Sequence, residues 1–330
     1  MSHIGPRDAY IRNLRQSSKA SYRLRFEHLL FDCLTDIGFR VVEQSWSPSD
    51  PEPWLRLPYP APSADSLIIY EHKSSNQAPD GDIFYMEMYC NGTFTVDSKG
   101  WGPMQASMRC KPDLSHIDPA RAAAYCRELS RRLLRSGASK HEQPPPRPIT
   151  GIGPYTFVPL QLSEDDTILY HSPITVIDFI DTVADWACAS GRQLVFKLHP
   201  YDDERGTARA VEHWTRYPNI HSRQDNIHSL IDGAELVCTI NSGSGFESLI
   251  HGKPVVTFGD CDYHWVTFRG RRDNLDEAYS YASEYSTARQ QAAFVWVYYY
   301  LSEHVFDVRT GELTAVRSRL SDRLRAFAGS

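Results

Sequence analysis

The sequence lacks several patterns that would place it quickly in a class. Its seven cysteines form no C-x-x-C pair, which argues against a zinc site and a disulfide framework. No apolar run approaches the roughly 20 residues that span a bilayer, and the longest run, residues 292–301, predicts a buried helix. The formal net charge of −6 argues against a basic nucleic-acid-binding surface. The polar N-terminus has no apolar stretch behind it, so we expect a cytoplasmic protein without a secretory signal.

The clearest break in the chain lies at residues 140–154. This stretch contains three consecutive prolines and further proline and glycine, which exclude a helix or a central strand. We therefore predict an N-terminal lobe over residues 1–140, a proline-rich linker over 141–154 and a second lobe over 155–330. The helices beyond about residue 280 are expected to pack back on the first lobe.

After the linker, short apolar strands alternate with helical patterns, which predicts a parallel sheet. The expected strands are 155–162, 193–198, 219–222, 235–240 and 253–258, and the expected helices are 173–190, 208–217, 227–231 and 244–251. The first half is less regular, with expected helices at 26–37 and 119–135 and expected strands at 39–43, 66–71, 83–90 and 93–97. The Asn91-Gly92 pair predicts a hairpin turn between the last two strands. The fold class is α/β with two lobes, the second a Rossmann-like parallel sheet.

One strand end in the second lobe carries residues suited to a phosphate. Ser242, Gly243, Ser244 and Gly245 join a strand to a helix start, where main-chain N–H groups and the helix dipole attract an anion. Glu247, one turn further on, is placed to accept hydrogen bonds from ribose hydroxyls. The segment matches neither a P-loop nor a dinucleotide fingerprint, and an ordinary helix-capping turn is the alternative.

A second strand of this lobe ends at His199-Pro200, with Lys197 two residues earlier on the same strand face. A histidine beside a phosphate can supply positive charge or a proton to a leaving nucleotide. The alternative is a histidine that caps or packs. Gln161, after the first strand of the lobe, and Tyr263, after the strand at 254–258, are further candidates to line the site.

In the first lobe, a strand ends at Asp97 and is followed by Lys99 and a glycine-rich turn with Trp101. Asp97 is a candidate nucleophile or general base, and Trp101 offers an apolar platform for a sugar ring. A solvated turn is the alternative, because these residue types are common in turns. Glu71, at the end of another strand, is the second candidate acid.

Residues 158–268 resemble the capsule-polysaccharide synthesis family, in particular retaining β-Kdo (3-deoxy-D-manno-octulosonic acid) transferases that use CMP-Kdo. The matching segments are Pro159–Leu162, Asp165–Asp166, Lys197–Pro200, Ser242–Leu249, Gly252–Val256 and Gly259–Tyr263. The residues from Asp97 to Gly100 resemble, over a short stretch, the family segment that supplies the catalytic acid. The resemblance implies a two-lobed GT-B-like glycosyltransferase.

The His-Pro and paired-serine elements also resemble those of bacterial CMP-sialic acid transferases, in which the histidine and the serines serve the phosphate of CMP. This resemblance implies the same roles for His199, Ser242 and Ser244, while Glu247 is expected to hold the ribose or cytidine side. Retention by double displacement then requires a carboxylate that attacks the anomeric carbon, and Asp97 is the expected residue.

Lys197 or Lys99 is expected to pair with the carboxylate of Kdo. No cofactor and no metal are expected, because a CMP-activated sugar carries no pyrophosphate and the chain shows no convincing Asp-x-Asp signature.

The expected partners are a CMP-sugar donor and a glycan or glycolipid acceptor, with no nucleic acid. A peripheral contact with the inner face of the inner membrane, or with other polysaccharide-synthesis enzymes, is left open. Two alternatives also stay open. One is a transferase for another CMP- or CDP-activated donor, such as a sialyl- or glycerophospho-transferase. The other is a non-catalytic glycan-binding or export-assembly protein.

Overall fold

The computed structural model describes residues 7–14, 21–46, 66–105, 109–202 and 205–328. Contacts divide the chain into two compact units. Unit 1 contains the residues up to Pro112 together with those from Leu301 onward, and unit 2 is Asp113–Tyr300. The boundary thus differs from the one expected at residues 141–154, and only the part of the C-terminal region from Leu301 groups with the first unit.

Unit 1 is built on a six-stranded mixed sheet. Its elements in chain order are β1 (Arg7–Leu14), α1 (Ser21–Asp36), β2 (Phe39–Trp46), β3 (Leu67–Glu71), β4 (Ile83–Glu87), β5 (Thr93–Asp97), a 3-10 turn (Gly102–Met104), a π-helical turn (Tyr300–His304, which starts at the last residue of unit 2), β12 (Phe306–Asp307) and α10 (Thr314–Ala328). The strand order is β12-β5-β4-β3-β1-β2, with β1 to β4 parallel and the other two antiparallel to their neighbours. Strand β1 was not among the expected elements.

The hairpin expected at Asn91-Gly92 is confirmed. Strands β4 and β5 pair antiparallel, and Gly92 has a φ of +79°, a conformation that favours glycine in tight turns. Helices α1 and α10 cover the apolar face of the sheet, where Phe26 stacks on Phe94 with ring centroids 4.2 Å apart. This packing explains why the C-terminal helix belongs to the first unit.

Unit 2 contains a six-stranded sheet that is parallel throughout. Its elements in chain order are α2 (Pro119–Ser136), β6 (Tyr155–Pro159), α3 (Asp166–His171), α4 (Val176–Ser190), β7 (Gln193–Lys197), α5 (Arg205–Trp214), β8 (Ile220–Ser222), α6 (Ile227–Gly233), β9 (Ala234–Thr239), α7 (Gly243–Ile250), β10 (Val255–Thr257), a 3-10 turn (His264–Val266), β11 (Phe268–Arg269), α8 (Leu275–Ser283) and α9 (Thr287–Tyr299). The strand order β11-β10-β9-β6-β7-β8 confirms the predicted Rossmann-like sheet.

The chain runs from β6 outward to β7 and β8, and then returns to β9 on the other side of β6. The carboxyl ends of β6 and β9 therefore flank the point where the strand order reverses, which is where ligands bind in open parallel sheets. The loops after β6, β7 and β9 are the ones that carry the expected site residues.

Two local expectations need correction. Helix α4 begins at Val176, not at residue 173, and Thr175 is its N-cap because the Thr175 hydroxyl accepts the N–H of Asp178 at 3.1 Å. Helix α3 was not expected, and Asp165 caps it by accepting the N–H of Thr167 at 2.8 Å.

The apolar run at residues 292–301 is a buried helix, as predicted. Helix α9 packs against α2, and the Cys126 thiol donates to the Phe294 carbonyl at 3.6 Å. This contact explains why α2, which was expected in the first lobe, belongs to unit 2. Within the described ranges, no helix is long and apolar enough to cross a membrane.

Candidate functional site

An amide pair joins the two central strands of unit 2 at their carboxyl ends. The side-chain N–H of Gln161 donates to the Asn241 side-chain oxygen at 2.8 Å, and the main-chain N–H of Asn241 donates to the Gln161 oxygen at 3.1 Å. Both residues are buried. Gln161, expected to contact the donor, therefore ties β6 to β9 beneath the carboxyl edge of the sheet.

The loop Ser242–Gly245 follows directly and opens helix α7. The hydroxyl of Ser242 accepts the N–H of Ser244 at 3.2 Å, so Ser242 is the N-cap of the helix. Ser242, Gly243 and Ser244 stay partly exposed at the positive end of the helix dipole. The geometry therefore suits an anion, as the loop composition predicts.

Tyr263 supports this loop from within the protein. Its hydroxyl donates to the Ser242 carbonyl at 2.6 Å, and its ring is completely buried. A Cβ at Gly245 would lie 2.5 Å from the same hydroxyl oxygen, so only glycine fits there without a shift. Tyr263 was expected to touch the nucleotide or the donor, whereas its contacts place it under the loop.

Glu247, one turn into α7, is also buried. Its Oε1 accepts the hydroxyl of Ser139 at 2.7 Å and lies 3.9 Å from Nε2 of His228. Burial raises the pKa of the Glu247 carboxyl, while His228, Ser139 and Lys140 act in the opposite direction. One carboxylate oxygen expected to hold the ribose is thus already engaged within the chain.

His199 lies just beyond β7, and its tautomer follows from its contacts. Its Nδ1 accepts the main-chain N–H of Tyr201 at 3.2 Å, so the proton of the neutral ring sits on Nε2. Burial lowers the pKa of His199, and Asp165 opposes this shift. The ring is therefore a neutral hydrogen-bond donor, not the source of positive charge that was one of the expected roles.

Lys197, at the end of β7, has different neighbours from His199. Its ammonium donates to the Asp225 carbonyl at 2.9 Å, and its side chain is buried. Burial lowers the pKa of Lys197. The sequence predicts a shared face for these two side chains, but the strand ends at Lys197 and His199 packs instead with His141 and Tyr201.

Residues 137–148, which we call the strap, connect α2 to the rest of unit 2. Residues 141–148 were expected to belong to an interdomain linker, and residues 137–140 to the first lobe. The side-chain amide of Asn226 donates to the carbonyls of Gly137 and Pro144, both at 2.9 Å. Farther along the strap, the N–H of Arg147 donates to the Ser229 hydroxyl at 3.1 Å. The strap is therefore fastened inside one unit.

The strap bridges the two segments that the sequence singled out. Ser139 contacts Glu247 of α7, and the ring of His141 lies 4.9 Å from that of His199, centroid to centroid. Neither strap residue was expected at the site. The polar run from Ser139 to Gln143, which stands directly before the prolines, was the only sequence signal that could have indicated them.

A buried chain of hydrogen bonds holds the strap from below. The Ser130 hydroxyl lies 2.8 Å from Nδ1 of His251, Nε2 of His251 lies 3.0 Å from Nδ1 of His228, and Nε2 of His228 lies 2.8 Å from the Ala138 carbonyl. Because that carbonyl can only accept, Nε2 of His228 must donate to it. Nδ1 of the neutral His228 ring then accepts from Nε2 of His251, and Nδ1 of His251 accepts from the Ser130 hydroxyl. Burial lowers the pKa of His251 to about 3, which agrees with a neutral ring.

In unit 1, Glu71 lies in a buried ion-pair group. Arg23 donates to Glu71 and, through Nε, to Oε1 of Glu27 at 3.2 Å. The hydroxyl of Tyr85 donates to the same Glu27 oxygen at 3.3 Å, and burial raises the pKa of Tyr85 well above its usual range. These contacts describe a structural cluster, which makes Glu71 the weaker of the two candidate acids.

Asp97 ends β5 and begins the other candidate segment of unit 1. It is 3% exposed, and its Oδ1 accepts the main-chain N–H of Lys99 at 2.7 Å. The ammonium-bearing side chain of Lys99 is exposed. Trp101 is buried, so it does not form the open platform for a sugar ring that the sequence suggests.

The loops after β3 and β5 pack on each other, which brings the two candidate segments of unit 1 together. The N–H of Ser75 donates to the Lys99 carbonyl at 2.9 Å, and the rings of His72 and Trp101 meet edge to face at 5.7 Å. His72 has a φ of +52°, a conformation rare for a residue with a side chain and concentrated at functional sites. Across the described ranges, no group of three or more His, Cys, Asp and Glu side chains is placed to hold a metal ion.

Comparison with known proteins shows which family this chain resembles. Residues 115–277, just under half of the chain, match the model of the family described as capsule polysaccharide biosynthesis protein. Over this segment the chain is similar to that family. Protein FixF of Sinorhizobium fredii is 31% identical over 281 residues, which cover 78% of this chain and 65% of FixF. The match thus spans slightly less than two thirds of that relative.

The fold of this chain is that of GT-B-like glycosyltransferases. A solved structure of Thermosulfurimonas dismutans KpsC, a beta Kdo 2,7 transferase, matches with a TM-score of 0.52 at 16% identity, over 96% of this chain and 99% of that chain. At this identity the likeness shows the fold alone. The family segment includes the strap, His199 and the loop Ser242–Gly245, whereas Glu71 and Asp97 lie outside it.

Proposed function

We propose that this protein is a retaining glycosyltransferase that moves β-Kdo from CMP-Kdo to a glycan acceptor in bacterial surface polysaccharide synthesis. The observation that carries the proposal is the group of hydrogen-bond donors at the carboxyl edge of the unit 2 sheet. The Nε2–H of His199 lies beyond β7, and the positive end of the α7 dipole lies beyond β9, one of the two strands that flank the switch point. A hydrogen-bond donor and a helix N-terminus are groups of the kind that stabilise a leaving phosphate.

The leaving group in this reaction is a single phosphate on cytidine. When the bond between the anomeric carbon and the phosphate oxygen breaks, the electron pair stays on that oxygen and the phosphate gains one negative charge. Neutral donors held by the fold stabilise this charge as it develops, because they need no reorganisation. The N-cap Ser242 and the buried Tyr263 fix the first turn of α7, whose positive dipole end is assigned to the phosphate.

The proposal assigns the nucleophile to Asp97 of unit 1. Its carboxylate attacks the anomeric carbon as CMP leaves, and an ester bond forms between the sugar and the enzyme. A hydroxyl of the acceptor then attacks the same carbon, loses its proton to a base and releases the carboxylate, so that two inversions give retention. Glu71 is less suited because Arg23 already holds it in a buried ion pair. The exposed ammonium of Lys99 is assigned to the Kdo carboxylate in preference to Lys197, which is engaged with Asp225.

A donor-hydrolysis assay with CMP-Kdo tests the proposal. We expect the wild-type protein to release CMP, His199→Ala to release it about 10- to 1,000-fold more slowly, and Asp97→Asn to release almost none. His213→Ala on the exposed face of α5 and Asp36→Asn on α1 are matched controls that should keep the wild-type rate. Normal turnover by Asp97→Asn would show that Asp97 is not the nucleophile.

Mass spectrometry of the protein mixed with donor alone checks the covalent step. The expected species carries one Kdo residue on the peptide that contains Asp97, and it disappears when acceptor is added. A melting-temperature series with CMP, CDP, UDP and GDP checks the nucleotide, because a ligand that binds the native state raises the melting temperature. Stabilisation by CDP or UDP but not by CMP would favour another donor. Absence of CMP release under every acceptor condition would favour a non-catalytic glycan-binding role.

A further inference from the structure

The strap presents a second imidazole beside His199. The ring of His141 lies 4.9 Å from the ring of His199 and 5.1 Å from that of Tyr201, centroid to centroid, with both pairs edge to face. His141 is partly exposed, and Tyr201 is 65% exposed. The imidazole therefore borders the same partly open surface as the expected phosphate ligand.

The position of His141 is set by anchors on both sides of it. On one side, the Ser139 hydroxyl donates to Glu247 at 2.7 Å. On the other side, the side-chain oxygen of Gln143 accepts the N–H of Ile227 at 3.2 Å. Only residues 140–142 lie between these anchors, and so short a span leaves the ring little freedom to move away from His199.

The anchor at Ser139 is itself backed by the buried histidine chain. His228 donates to the carbonyl of Ala138, the residue before Ser139, and lies 3.9 Å from the Glu247 carboxylate. Ser130 and His251 complete the chain from helix α2. The main chain is thus held by side chains of α2, α6 and α7 immediately before the residues that carry His141.

The charged groups around His141 are of both signs, and its neighbours in the chain are Lys140 and Glu142. The exposed ammonium of Lys140 is the next residue in the chain, and Asp165 at the start of α3 is the facing acid. Burial, together with His199 and Lys140, lowers the pKa of His141 to about 4, while Asp165 opposes the shift. A neutral ring of this kind keeps one N–H donor at pH 7 without adding a fixed charge to the site.

We propose that His141 is a second binding residue for the leaving phosphate, donating a hydrogen bond to one of its oxygens beside the Nε2–H of His199. The inference rests on the proposed function for the identity of the nucleotide, a nucleoside monophosphate. No proton is transferred in this role. The bond strengthens as the carbon–oxygen bond of the donor breaks and charge collects on the phosphate, so the contribution is larger in the transition state than in the bound donor.

The test compares nucleotide binding and turnover in three variants of the full chain. His141→Phe removes the donor and keeps a ring, His141→Gln keeps an N–H donor, and His213→Phe is the matched control on α5. By isothermal titration with CMP we expect His141→Phe to bind about 10- to 100-fold more weakly, since a hydrogen bond to a charged group is lost. His141→Gln should remain within a few-fold of the wild type, and His213→Phe should match it.

A second readout on the wild-type protein does not depend on how a variant folds. The Cε1–H signals of the imidazoles are followed by NMR while CMP, CDP, UDP or inorganic phosphate is added, with assignment by the His141→Gln and His199→Ala variants. The His141 and His199 signals are expected to shift together at one ligand concentration. In donor hydrolysis, kcat of His141→Phe should fall more than its KM rises.

The outcomes separate the two proposals. If a nucleotide other than CMP binds and its affinity falls in His141→Phe, the contact between His141 and the phosphate is supported. The assignment of CMP-Kdo as the donor is then wrong. If CMP binds His141→Phe as tightly as it binds the wild type while His199→Ala loses affinity, the role of His141 is overturned and the donor stands. If no nucleotide and no phosphate moves the His141 signal, the His141 contact is rejected together with the phosphate site.

Discussion

The hydroxyl of Tyr263 donates a 2.6 Å hydrogen bond to the carbonyl oxygen of Ser242, the residue that caps helix α7. The bond fastens the loop Ser242–Gly245 to a fully buried ring, 21 residues farther along the chain. The loop is therefore held in one conformation before any ligand arrives. Preorganisation of this kind is what electrostatic stabilisation of a developing charge requires.

Substitutions at Gly245 and Tyr263 should be non-additive. Gly245→Ala forces its Cβ towards the Tyr263 hydroxyl and is expected to destabilise the protein by about 1–3 kcal/mol, and Tyr263→Phe by about 1 kcal/mol. The double variant should lose less than the sum, because the oxygen that clashes is gone. Urea unfolding measures all three, with Gly153→Ala, where a Cβ meets nothing within 4 Å, as the control. Additive losses would mean that the two sites do not touch.

The stability of the buried ion-pair group of unit 1 should depend strongly on Arg23. Arg23→Met leaves the carboxylates of Glu27 and Glu71 without that partner, and we expect a loss of about 3–5 kcal/mol in the free energy of unfolding. The matched control is Arg317→Met, which removes a surface pair with Asp36 and should cost less than about 1 kcal/mol. Equal effects of the two substitutions would contradict the structural role given to Glu71.

His251 should make the wild-type protein lose stability in acid. Its pKa is lowered from 6.5 to about 3, so below pH 6.5 the unfolded chain takes up a proton that the native ring does not. This contribution is complete above pH 6.5 and falls by up to about 1.4 kcal/mol per pH unit as the pH drops towards 3. The His251→Gln variant lacks this component. The difference in the free energy of unfolding between the wild type and His251→Gln should therefore become smaller as the pH falls from 6 to 5. Chemical unfolding at several pH values checks this. The difference in the free energy of unfolding between the wild type and the exposed-site control His213→Gln should not change with pH.

The contribution of Glu247 to stability should depend on pH in the direction opposite to that of His251. Its native pKa is raised above 4.5, so the native state favours the protonated carboxyl, and this favourable contribution is lost as the pH rises through the native pKa. Glu247→Gln keeps an oxygen for the Ser139 hydroxyl and carries no charge, so it should be more stable than the wild type at pH 7. That advantage should shrink as the pH falls towards 4.5. The control is Glu164→Gln at an exposed position. If the stability difference between the wild type and Glu247→Gln did not change with pH, the raised pKa of Glu247 would be refuted.

Local chemistry in the sequence was sufficient for much of the fold and for part of the site. The alternation of apolar strands and helices after residue 155 predicts the parallel sheet, since a strand and an amphipathic helix have different periods. The Asn91-Gly92 turn and the loop Ser242–Gly245 were also predicted, because turn and capping preferences depend on neighbouring residues.

Only the tertiary structure decided which of these residues face a ligand. The Ser139 hydroxyl contacts Glu247, 108 residues away, and Arg23 is paired with Glu71, 48 residues away. No local sequence pattern could reveal either contact. The proline-rich segment illustrates the limit. Its composition correctly excludes helix and strand, but its attachment within unit 2 depends on Asn226, His228 and Ser229, far along the chain. Sequence determines what a segment can form by itself, whereas burial and distant partners determine what its side chains are free to do.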